Sequence, residues 1–332
     1  MKKKVLVTSF YNRQVVGPSL KRLSEHAQVI LGQEKRVLTE DEILGRLDGI
    51  DAVIAAEEPY NERVFEPAPQ LAMIARDGVG LDSIDLEAAT KYGVIVNNAP
   101  VVHESVADLA LGLIIAAVRK VRIGDIGMRS GAWTARDIYL CPDVNGMTLG
   151  LLGFGNVARA LAKRAVGFDM KVVAFDPFVD KICAESLGVG LVEFNELLAR
   201  SDVLSIHAPL TPKTHKIINA RTIAKMKEGA YIVNTARGGL IDESALYEAL
   251  SSGKLAGAGL DVVDNEPPKP DNPLFKLDNV TFTPHVGSDT TGTFAKVYDS
   301  AVTDILLLFA GEKPRHVTNP EVFKHQRFRE LK

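Results

Sequence analysis

Three side chains with complementary acid and base chemistry each follow a different apolar run in the second half of the chain. They are Arg237, Glu266 and His285. An imidazole exchanges a proton near neutral pH, and a neighbouring carboxylate raises its pKa, so that both of its forms are accessible there. A guanidinium binds a carboxylate through two parallel hydrogen bonds. These residue types suit a reaction in which a proton moves on a substrate that is held by its carboxylate group.

Each of these residues, taken alone, has an ordinary structural interpretation. Arg237 could be a surface residue after a strand, Glu266 a turn carboxylate before a proline, and His285 a turn residue. The ends of neighbouring apolar runs also carry His207 and Asp261. Open parallel sheets bind ligands beyond the carboxyl ends of their strands, so residues that follow neighbouring strands meet there. The convergence favours a functional site over the separate structural interpretations.

A glycine turn within residues 148–178 predicts what binds beside these side chains. An apolar run ends in Gly153 and Gly155, a helical pattern follows, and a second apolar run ends in Asp176. That order, with Ala158 at the third position of the G-x-G-x-x-G/A pattern, is typical of the βαβ unit that binds a dinucleotide by its pyrophosphate. Asp176 stands about 20 residues after the turn, where a carboxylate binds the adenosine ribose and repels a 2′-phosphate. The pattern therefore predicts NAD rather than NADP.

Short apolar runs alternate with helical patterns along most of the chain, which predicts βα units on parallel sheets. A break at 97–103 is followed by a pattern that predicts one long helix over 105–122. The segment 124–146 is predicted to be irregular. It is either an arm packed on its own fold or part of a subunit contact.

The last helical pattern, 293–309, has no strand after it. A second crossing of the chain near His285 explains this most simply. The sequence thus predicts a dinucleotide-binding domain, 102–286, and a discontinuous substrate (lid) domain, 1–101 plus 287–332.

The composition is that of an ordinary globular protein, with 332 residues, 46% of them hydrophobic and 24% charged. A net charge of −3 gives no basic surface for nucleic acid or an anionic membrane. Cys141 and Cys183 fit neither a metal-ligand spacing nor a disulfide framework, so we expect no metal and a reducing compartment. The apolar stretch 107–118 is too short to cross a bilayer, and the run 5–7 is too short for a signal peptide. These features predict a cytoplasmic protein.

Several sequence blocks together carry a family resemblance. They are ARDGVGLDSIDLEAA, TLGLLGFGNVARALA, HAPLTPKT, MKEGAYIVNTARGGLIDESAL, GAGLDVVDNEPP and TPHVGSDT. With these blocks the chain resembles, over nearly its whole length, the D-isomer-specific 2-hydroxyacid dehydrogenase family, which includes phosphoglycerate, glyoxylate/hydroxypyruvate and formate dehydrogenases. The resemblance implies an α/β fold of two domains, each a doubly wound parallel sheet: a Rossmann-type NAD-binding domain and a flavodoxin-like substrate (lid) domain. It also implies a homodimer.

The resemblance implies the reaction and its catalytic residues. Members transfer a hydride between the nicotinamide of NAD and C2 of a small D-2-hydroxy acid or 2-oxo acid. Arg237, in the ARGG block, is expected to hold the substrate carboxylate and to polarise the 2-oxo group. Glu266 and His285 are expected to form a hydrogen-bonded pair in which the histidine is the acid and base.

The binding residues are implied in the same way. Gly78, Val79 and Gly80 match a loop whose amides meet the substrate carboxylate, so that they bind substrate together with Arg237 and His285. The aspartate of the GLDV block resembles the group that fixes the nicotinamide carboxamide. The implied cofactor-binding residues are Gly153, Phe154, Gly155, Asn156, Val157, Asp176, Pro177, His207, Ala208, Pro209, Thr214, Thr235, Ala236, Asp261, Gly287 and Ser288.

The substrate stays open at this point. Phosphoglycerate-specific relatives usually carry an arginine after the third strand of the first domain, where this chain has Ala56, Glu57 and Glu58. Two carboxylates there disfavour a phosphate, and Arg76 alone remains a candidate cation. We therefore favour an acid of the glyoxylate or hydroxypyruvate type, with 3-phosphoglycerate as the alternative.

An alternative from another class is an NAD(H)-sensing binding protein. The corepressors known as C-terminal binding proteins share this fold and the three catalytic residues, so those residues do not separate the two functions. A sensor binds NADH tightly and turns over poorly, whereas a dehydrogenase turns over 2-oxo acids. We prefer the dehydrogenase.

Overall fold

The structure is a computed structural model of the chain. It describes residues 2–9, 13–33, 36–133, 136–179 and 181–332. The chain divides into two compact units, one formed by Met1–Val102 with Ser288–Lys332 and the other by His103–Gly287. The chain passes from one unit to the other after residue 102 and again after residue 287, in each case one residue later than the domain limit that the sequence suggests. The roles of the two units, one for the cofactor and one for the substrate, stay predictions.

The first unit begins with alternating strands and helices. They are β1 (Lys3–Val7), α1 (Arg13–His26), β2 (Ala27–Leu31), α2 (Glu40–Leu44), β3 (Ala52–Ala55), α3 (Glu62–Phe65), β4 (Met73–Arg76), α4 (Leu86–Lys91) and β5 (Ile95–Asn97). The strands pair in parallel in the order β2-β1-β3-β4-β5. This is the doubly wound order of flavodoxin-like folds. Every residue of β3 and β4 is buried, as expected for central strands that are covered on both faces.

The second unit carries a larger sheet. Its elements are α5 (His103–Val118), α6 (Val121–Arg129), β6 (Thr148–Leu152), α7 (Asn156–Val166), β7 (Lys171–Phe175), α8 (Lys181–Glu185), β8 (Gly190–Leu191), α9 (Phe194–Arg200), β9 (Val203–Ile206), α10 (Ala220–Ile223), β10 (Ala230–Asn234), α11 (Glu243–Ser251), β11 (Leu255–Leu260) and β12 (Val280–Phe282). The strand order is β12-β11-β10-β9-β6-β7-β8, and all of the pairs are parallel. From β6 the strands are added first on one side, as β7 and β8, and then on the other side, from β9 to β12. The point between β6 and β9 is therefore the topological switch point of a Rossmann-type fold. The fold class predicted from the sequence is therefore confirmed.

Small residues let helix α5 lie close against the sheet. A methyl group on Gly259, in β11, would come within 2.8 Å of the Leu113 Cβ atom of α5. The glycines of this strand are therefore required by packing, as the run of small residues indicates.

The last helix, α12 (Thr291–Phe309), belongs to the first unit, where it packs on α1. The segment after it is also ordered on this unit. Asn319 accepts a hydrogen bond from the Val96 backbone N–H at 2.9 Å and donates to the Val94 carbonyl at 3.0 Å. The chain after α12 is therefore tied to the edge strand β5.

The long helix expected over 105–122 is wrong in its extent. Helix α5 ends at Val118, and α6 begins at Val121 after Lys120, which adopts a left-handed conformation with φ +51. The start of the segment 124–146 is therefore helical rather than irregular. Neither glycine nor proline marks the break, so the periodic pattern continues through it.

Among the described residues, no helix is both long enough and apolar enough to cross a membrane. In the same part of the chain, no group of three or more His, Cys, Asp and Glu side chains is placed to hold a metal ion.

Candidate active site

His285 and Glu266 are in direct hydrogen-bond contact in the second unit. The His285 Nδ1 atom lies 2.6 Å from the Glu266 Oε2 atom, and each side chain is about one-third exposed, at 34% and 32%. His285 is held in a left-handed backbone conformation, with φ +53. Such a conformation is uncommon outside glycine and persists where the surroundings fix it. The two side chains that the sequence pairs are therefore in direct contact.

Asp261 fixes the loop that carries His285. Its side chain accepts hydrogen bonds from the Val286 and Gly287 backbone N–H groups, both at 2.9 Å, and from the Thr283 hydroxyl at 2.5 Å. The Asp261 carbonyl accepts a further bond from the His285 N–H at 2.8 Å. With only 3% of its surface exposed, Asp261 acts as a buried anchor for the loop after β12.

The surroundings of Glu266 keep it ionised. Burial acts to raise its pKa, but the hydrogen bond and charge of His285, the Val263 N–H and the charge of Arg237 together bring the pKa below its ordinary value. The Val263 N–H donates to the Glu266 Oε1 atom at 3.0 Å. Arg237 is therefore one of the charges that act on this carboxylate. The second unit thus brings Arg237, Glu266 and His285 into one electrostatic neighbourhood.

Arg237 follows strand β10 in a turn held by Asn234. The Asn234 side chain donates to the Arg237 carbonyl at 2.9 Å and accepts from the Ala236 N–H at 3.0 Å. Behind the turn, a methyl group on Gly238 would come within 1.9 Å of the Val263 backbone. Only glycine therefore lets the Arg237 turn pack on the chain segment that leads to Glu266.

The glycine turn after β6 has the shape that the sequence predicts. Gly153 has φ +89, and a methyl group there would come within 2.8 Å of the Ala208 N atom. Gly155 precedes helix α7, and no atom lies within 4 Å of the place where its methyl group would stand. Asp176 accepts hydrogen bonds from the Phe154 N–H at 2.8 Å and the Phe178 N–H at 2.9 Å. It therefore braces the turn as well as standing at the predicted ribose position.

Three further observations test whether these residues fit a dinucleotide. The Thr235 hydroxyl is buried and has no hydrogen-bond partner among the described residues. Open space over Gly155 leaves the first N–H groups of α7 accessible to an anion. His207 lies beyond β9, and burial lowers its pKa to about 4, so that it is neutral at physiological pH. An unpaired donor, an open helix N-terminus and a neutral imidazole suit NAD.

The remaining predicted residues fall in both units. Asn156, Val157, Pro177, Pro209 and Thr214 lie on the second unit with the glycine turn, whereas Ser288 and the loop Gly78, Val79 and Gly80 belong to the first. The loop follows β4, and Arg76 lies directly beside it. A methyl group on Gly78 would come within 2.9 Å of the Arg76 Nη1 atom.

Sequence reasoning did not assign a role to Asn234 or Thr283, which position the site. Asn234 is a fully buried polar residue at the end of a strand, and Thr283 follows the last strand. A polar side chain at the end of an apolar run is the signal that could have indicated them, because a buried polar group needs a partner.

Fold and site together define an α/β protein whose second unit has the Rossmann-type strand order and carries a guanidinium, a carboxylate and an imidazole after its strands. Residues 111–287 match the family model described as D-isomer specific 2-hydroxyacid dehydrogenase, NAD binding domain. The chain belongs to this family, as its sequence blocks indicate. The predicted class of enzyme, an NAD-dependent D-2-hydroxyacid dehydrogenase, and the predicted cofactor are confirmed at this level.

Individual relatives agree with the family but differ in name and length. The chain is 37% identical over 329 residues to the glyoxylate reductase of Korarchaeum cryptofilum, covering 98% of both chains. It is 43% identical over 298 residues to the D-3-phosphoglycerate dehydrogenase of Methanocaldococcus jannaschii, with 89% of this chain matched but only 56% of that protein. A crystal structure of a protein from Thermus thermophilus is similar with a TM-score of 0.88 and 39% identity, covering 95% of this chain and 99% of that one.

Proposed function

We propose that the protein catalyses hydride transfer between NAD(H) and C2 of a small, unphosphorylated 2-oxo or D-2-hydroxy acid of the glyoxylate or hydroxypyruvate type. The observation that carries the proposal is the 2.6 Å contact between His285 Nδ1 and Glu266 Oε2, within the field of Arg237. This is an acid and base beside an anion-binding cation, which is what reduction of a 2-oxo acid requires. The full-length similarity to a glyoxylate reductase supports the choice of substrate.

Each side chain has a separate role in this proposal. Because His285 Nδ1 pairs with Glu266, we assign proton exchange with the substrate oxygen to Nε2. The ionised Glu266 fixes the orientation of the ring and stabilises its protonated form. Arg237 binds the substrate carboxylate in two parallel bonds and polarises the 2-oxo group, and the amides of Gly78, Val79 and Gly80 bind the same carboxylate.

The cofactor is held by the second unit. Bound NAD(H) supplies or accepts the hydride. The glycine turn and the first N–H groups of α7 would bind its pyrophosphate, Asp176 its adenosine ribose, and Thr235 a polar group nearer the nicotinamide. Asp261 is engaged with the loop of His285, so its part in the nicotinamide site includes holding that loop in place.

The test is steady-state turnover on a panel of 2-oxo acids with NADH and NADPH in parallel. We expect NADH to be oxidised with glyoxylate or hydroxypyruvate and to be preferred over NADPH. His285→Ala and Arg237→Ala should each lower kcat/KM by at least about 100-fold. His26→Ala, which removes an exposed histidine at the end of α1, is the matched control and should be unchanged. Unchanged rates in either site variant, or tight NADH binding without turnover, would contradict the proposal.

The alternative substrate is D-3-phosphoglycerate. The 43% identity to a D-3-phosphoglycerate dehydrogenase favours it, although the chain spans only 56% of that protein. Both candidates need the same Arg237, Glu266 and His285. The same panel, extended to 3-phosphohydroxypyruvate, separates them.

We also propose that the chain forms a homodimer through residues 121–140 and works in the cytoplasm. Six large apolar side chains are exposed within this short segment: Val121, Ile126, Met128, Trp133, Ile138 and Leu140, the last with 83% of its surface exposed. A concentration of this kind marks an interaction surface more often than scattered exposure does. The free thiols of Cys141 and Cys183 are in keeping with a reducing compartment.

A further inference from the structure

The loop that carries Glu266 has little apolar anchorage of its own. Val262 before it and Leu274 after it are buried, but none of residues 264–271 is. Fixing the backbone of such a loop costs conformational entropy that no buried side chain within it offsets. Polar contacts from outside the loop must therefore hold Glu266 in one place.

One side chain from outside the loop contacts both of its ends. Glu243 is the first residue of α11, and Asp242 caps this helix by accepting hydrogen bonds from two backbone N–H groups of its first turn. The Glu243 Oε1 atom accepts a hydrogen bond from the Asp264 backbone N–H at 2.8 Å, and its Oε2 atom accepts one from the Asn272 side chain at 3.1 Å. The Asn272 side chain in turn accepts from the Leu274 N–H at 3.0 Å. The two oxygens of one side chain thus join the start of the loop to its end.

The start of the loop also lies against the turn of Arg237. A methyl group on Gly238 would come within 2.3 Å of the Asp264 N atom. Helix α11 begins shortly after this turn, and all of these residues belong to the second unit. Glu243 therefore connects the chain segment that carries Arg237 with the loop that carries Glu266.

The contacts of Glu243 bear on the pair that we propose exchanges the proton. Glu266 lies between the two tied positions, and its Oε2 atom is 2.6 Å from the His285 ring. With both ties lost, the loop can adopt other conformations, so the carboxylate spends less time beside the ring. An acidic residue in the first turn of α11 also stabilises that helix through its dipole. That effect needs no partner on the loop, whereas Glu243 uses both of its oxygens there.

We propose that Glu243 is a positioning residue for the reaction, which holds both ends of the loop 264–272 and so keeps Glu266 beside His285. The assignment rests on the proposed function and deepens it, because it gives a part in proton transfer to a residue outside the predicted cofactor and substrate contacts. Loss of Glu243 should therefore slow turnover and leave NADH affinity nearly unchanged.

The first test is a double-mutant cycle on kcat/KM for glyoxylate reduction with NADH. Glu243→Ala should lower kcat/KM about tenfold, through kcat, with NADH affinity in fluorescence titration within about twofold of the wild type. In the Glu266→Gln background the same change should cost less than about threefold, because the charge that Glu243 positions is already absent. Glu248→Ala removes an exposed glutamate from the same helix. It is the matched control and should have no effect in either background.

A second variant keeps the shape of the side chain. Glu243→Gln retains an oxygen that can accept from the Asp264 N–H, but it offers Asn272 an amide donor in place of an acceptor. Its kcat/KM should lie between those of the wild type and Glu243→Ala. If Glu243→Ala does not fold, as judged by circular dichroism, Glu243→Gln takes its place in the cycle.

The second test needs no substrate. NMR of the ring nitrogens, assigned with His285→Ala, gives the titration midpoint of His285 in the free protein. The midpoint should move to lower pH in Glu243→Ala, as in Glu266→Gln, and stay in place in Glu248→Ala. An unmoved midpoint, or an additive loss in the cycle, would show that Glu243 only stabilises the fold, while the dehydrogenase assignment stands. If neither glyoxylate nor hydroxypyruvate is reduced with NADH, the proposed function fails, and the titration still decides whether Glu243 positions Glu266.

Discussion

At the scale of single residues, the chemistry depends on a pair whose charge state is set by contact. Glu266 has a lowered pKa, so it stays ionised until the pH falls below its ordinary range. Its negative charge stabilises the imidazolium of His285 at 2.6 Å. Above that range Glu266 is ionised and can act on the imidazole. The acid required for reduction of a 2-oxo acid is thereby kept available toward neutral pH.

The Glu266→Gln variant tests this dependence. Removing the charge makes the imidazolium less stable, so we expect the alkaline limb of the reduction profile to move to lower pH by about one unit or more. The measurement is kcat/KM for glyoxylate reduction across pH 5 to 9. Asp264→Asn removes an exposed carboxylate from the same loop and should leave the profile in place. A profile that falls in amplitude without moving would show that Glu266 only positions the ring.

His207 provides a prediction about stability. Burial lowers its pKa to about 4, against 6.5 for the exposed group. The unfolded chain therefore takes up a proton as the pH falls through about 6.5, whereas the folded chain does not until about 4. Stability that is fully present above this window is lost within it, by about 2 kcal/mol between pH 7 and pH 5.

We expect His207→Gln to lose less stability than the wild type between those two pH values. Urea unfolding without cofactor, at pH 7 and at pH 5, gives the comparison directly. His26→Gln, at an exposed position, should behave as the wild type does. An equal loss in His207→Gln and the wild type would mean that the His207 ring titrates normally in the folded protein.

Residue types, positions after strands and the family resemblance together indicated the proposed catalytic residues, but not the residues that support them. Arg237, Glu266 and His285 carry chemistry that can be recognised from their types and their positions after strands. The bracing roles of Asp261 and Asp176 depend on backbone N–H groups that come from distant parts of the chain. The sequence does not show in which direction a backbone N–H points, so these two roles could be seen only in the structure.

At the scale of elements, we expect the two glycines of the turn in the βαβ unit to have different roles, one in folding and the other in cofactor binding. Gly153 has a positive φ and touches the backbone after β9, whereas Gly155 has an ordinary φ and faces open space. Gly153→Ala should therefore destabilise the fold by at least about 1–2 kcal/mol. Gly155→Val should leave apo stability within about 1 kcal/mol but weaken NADH binding at least tenfold, because its side chain fills the space for the pyrophosphate.

These two variants are read out by urea unfolding and by NADH fluorescence titration on the same preparations. Each serves as the control for the other, since both add carbon to a glycine of one turn. A loss of apo stability in Gly155→Val equal to that in Gly153→Ala would contradict the distinction. Retained NADH affinity in Gly155→Val would place the cofactor elsewhere.

The elements that sequence reasoning missed share a physical feature. Strand β8, Gly190–Leu191, and helix α3, Glu62–Phe65, are too short for their periodicity to stand out. The break at Lys120 leaves no signal in the sequence. The pattern is periodic on both sides of it, and residues 119 and 120 are polar but good helix formers. Long elements with repeated apolar positions were predicted; short ones and kinks are decided by tertiary packing.

At the scale of the whole molecule, the two sheets follow from the alternation of strands and helices, but the state of assembly does not. The apolar side chains between Val121 and Leu140 point to a surface that a second copy would cover. The sequence led us to expect that residues 124–146 are irregular and form either an arm on their own fold or part of a subunit contact. In the structure α6 presents Val121, Ile126 and Met128 as one helix, which gives the surface a defined backbone.

Light scattering tests the proposed dimer. The wild type should have twice the 36.0 kDa mass of the chain at micromolar concentration. Leu140→Asp places a charge on a residue that is 83% exposed in one copy and would be buried in the pair, so we expect it to shift the mass toward that of the monomer. Ile182→Asp makes the same chemical change at an exposed apolar residue outside the segment, and it should remain dimeric. A monomeric wild type, or dissociation by Ile182→Asp and not by Leu140→Asp, would remove the interface from residues 121–140.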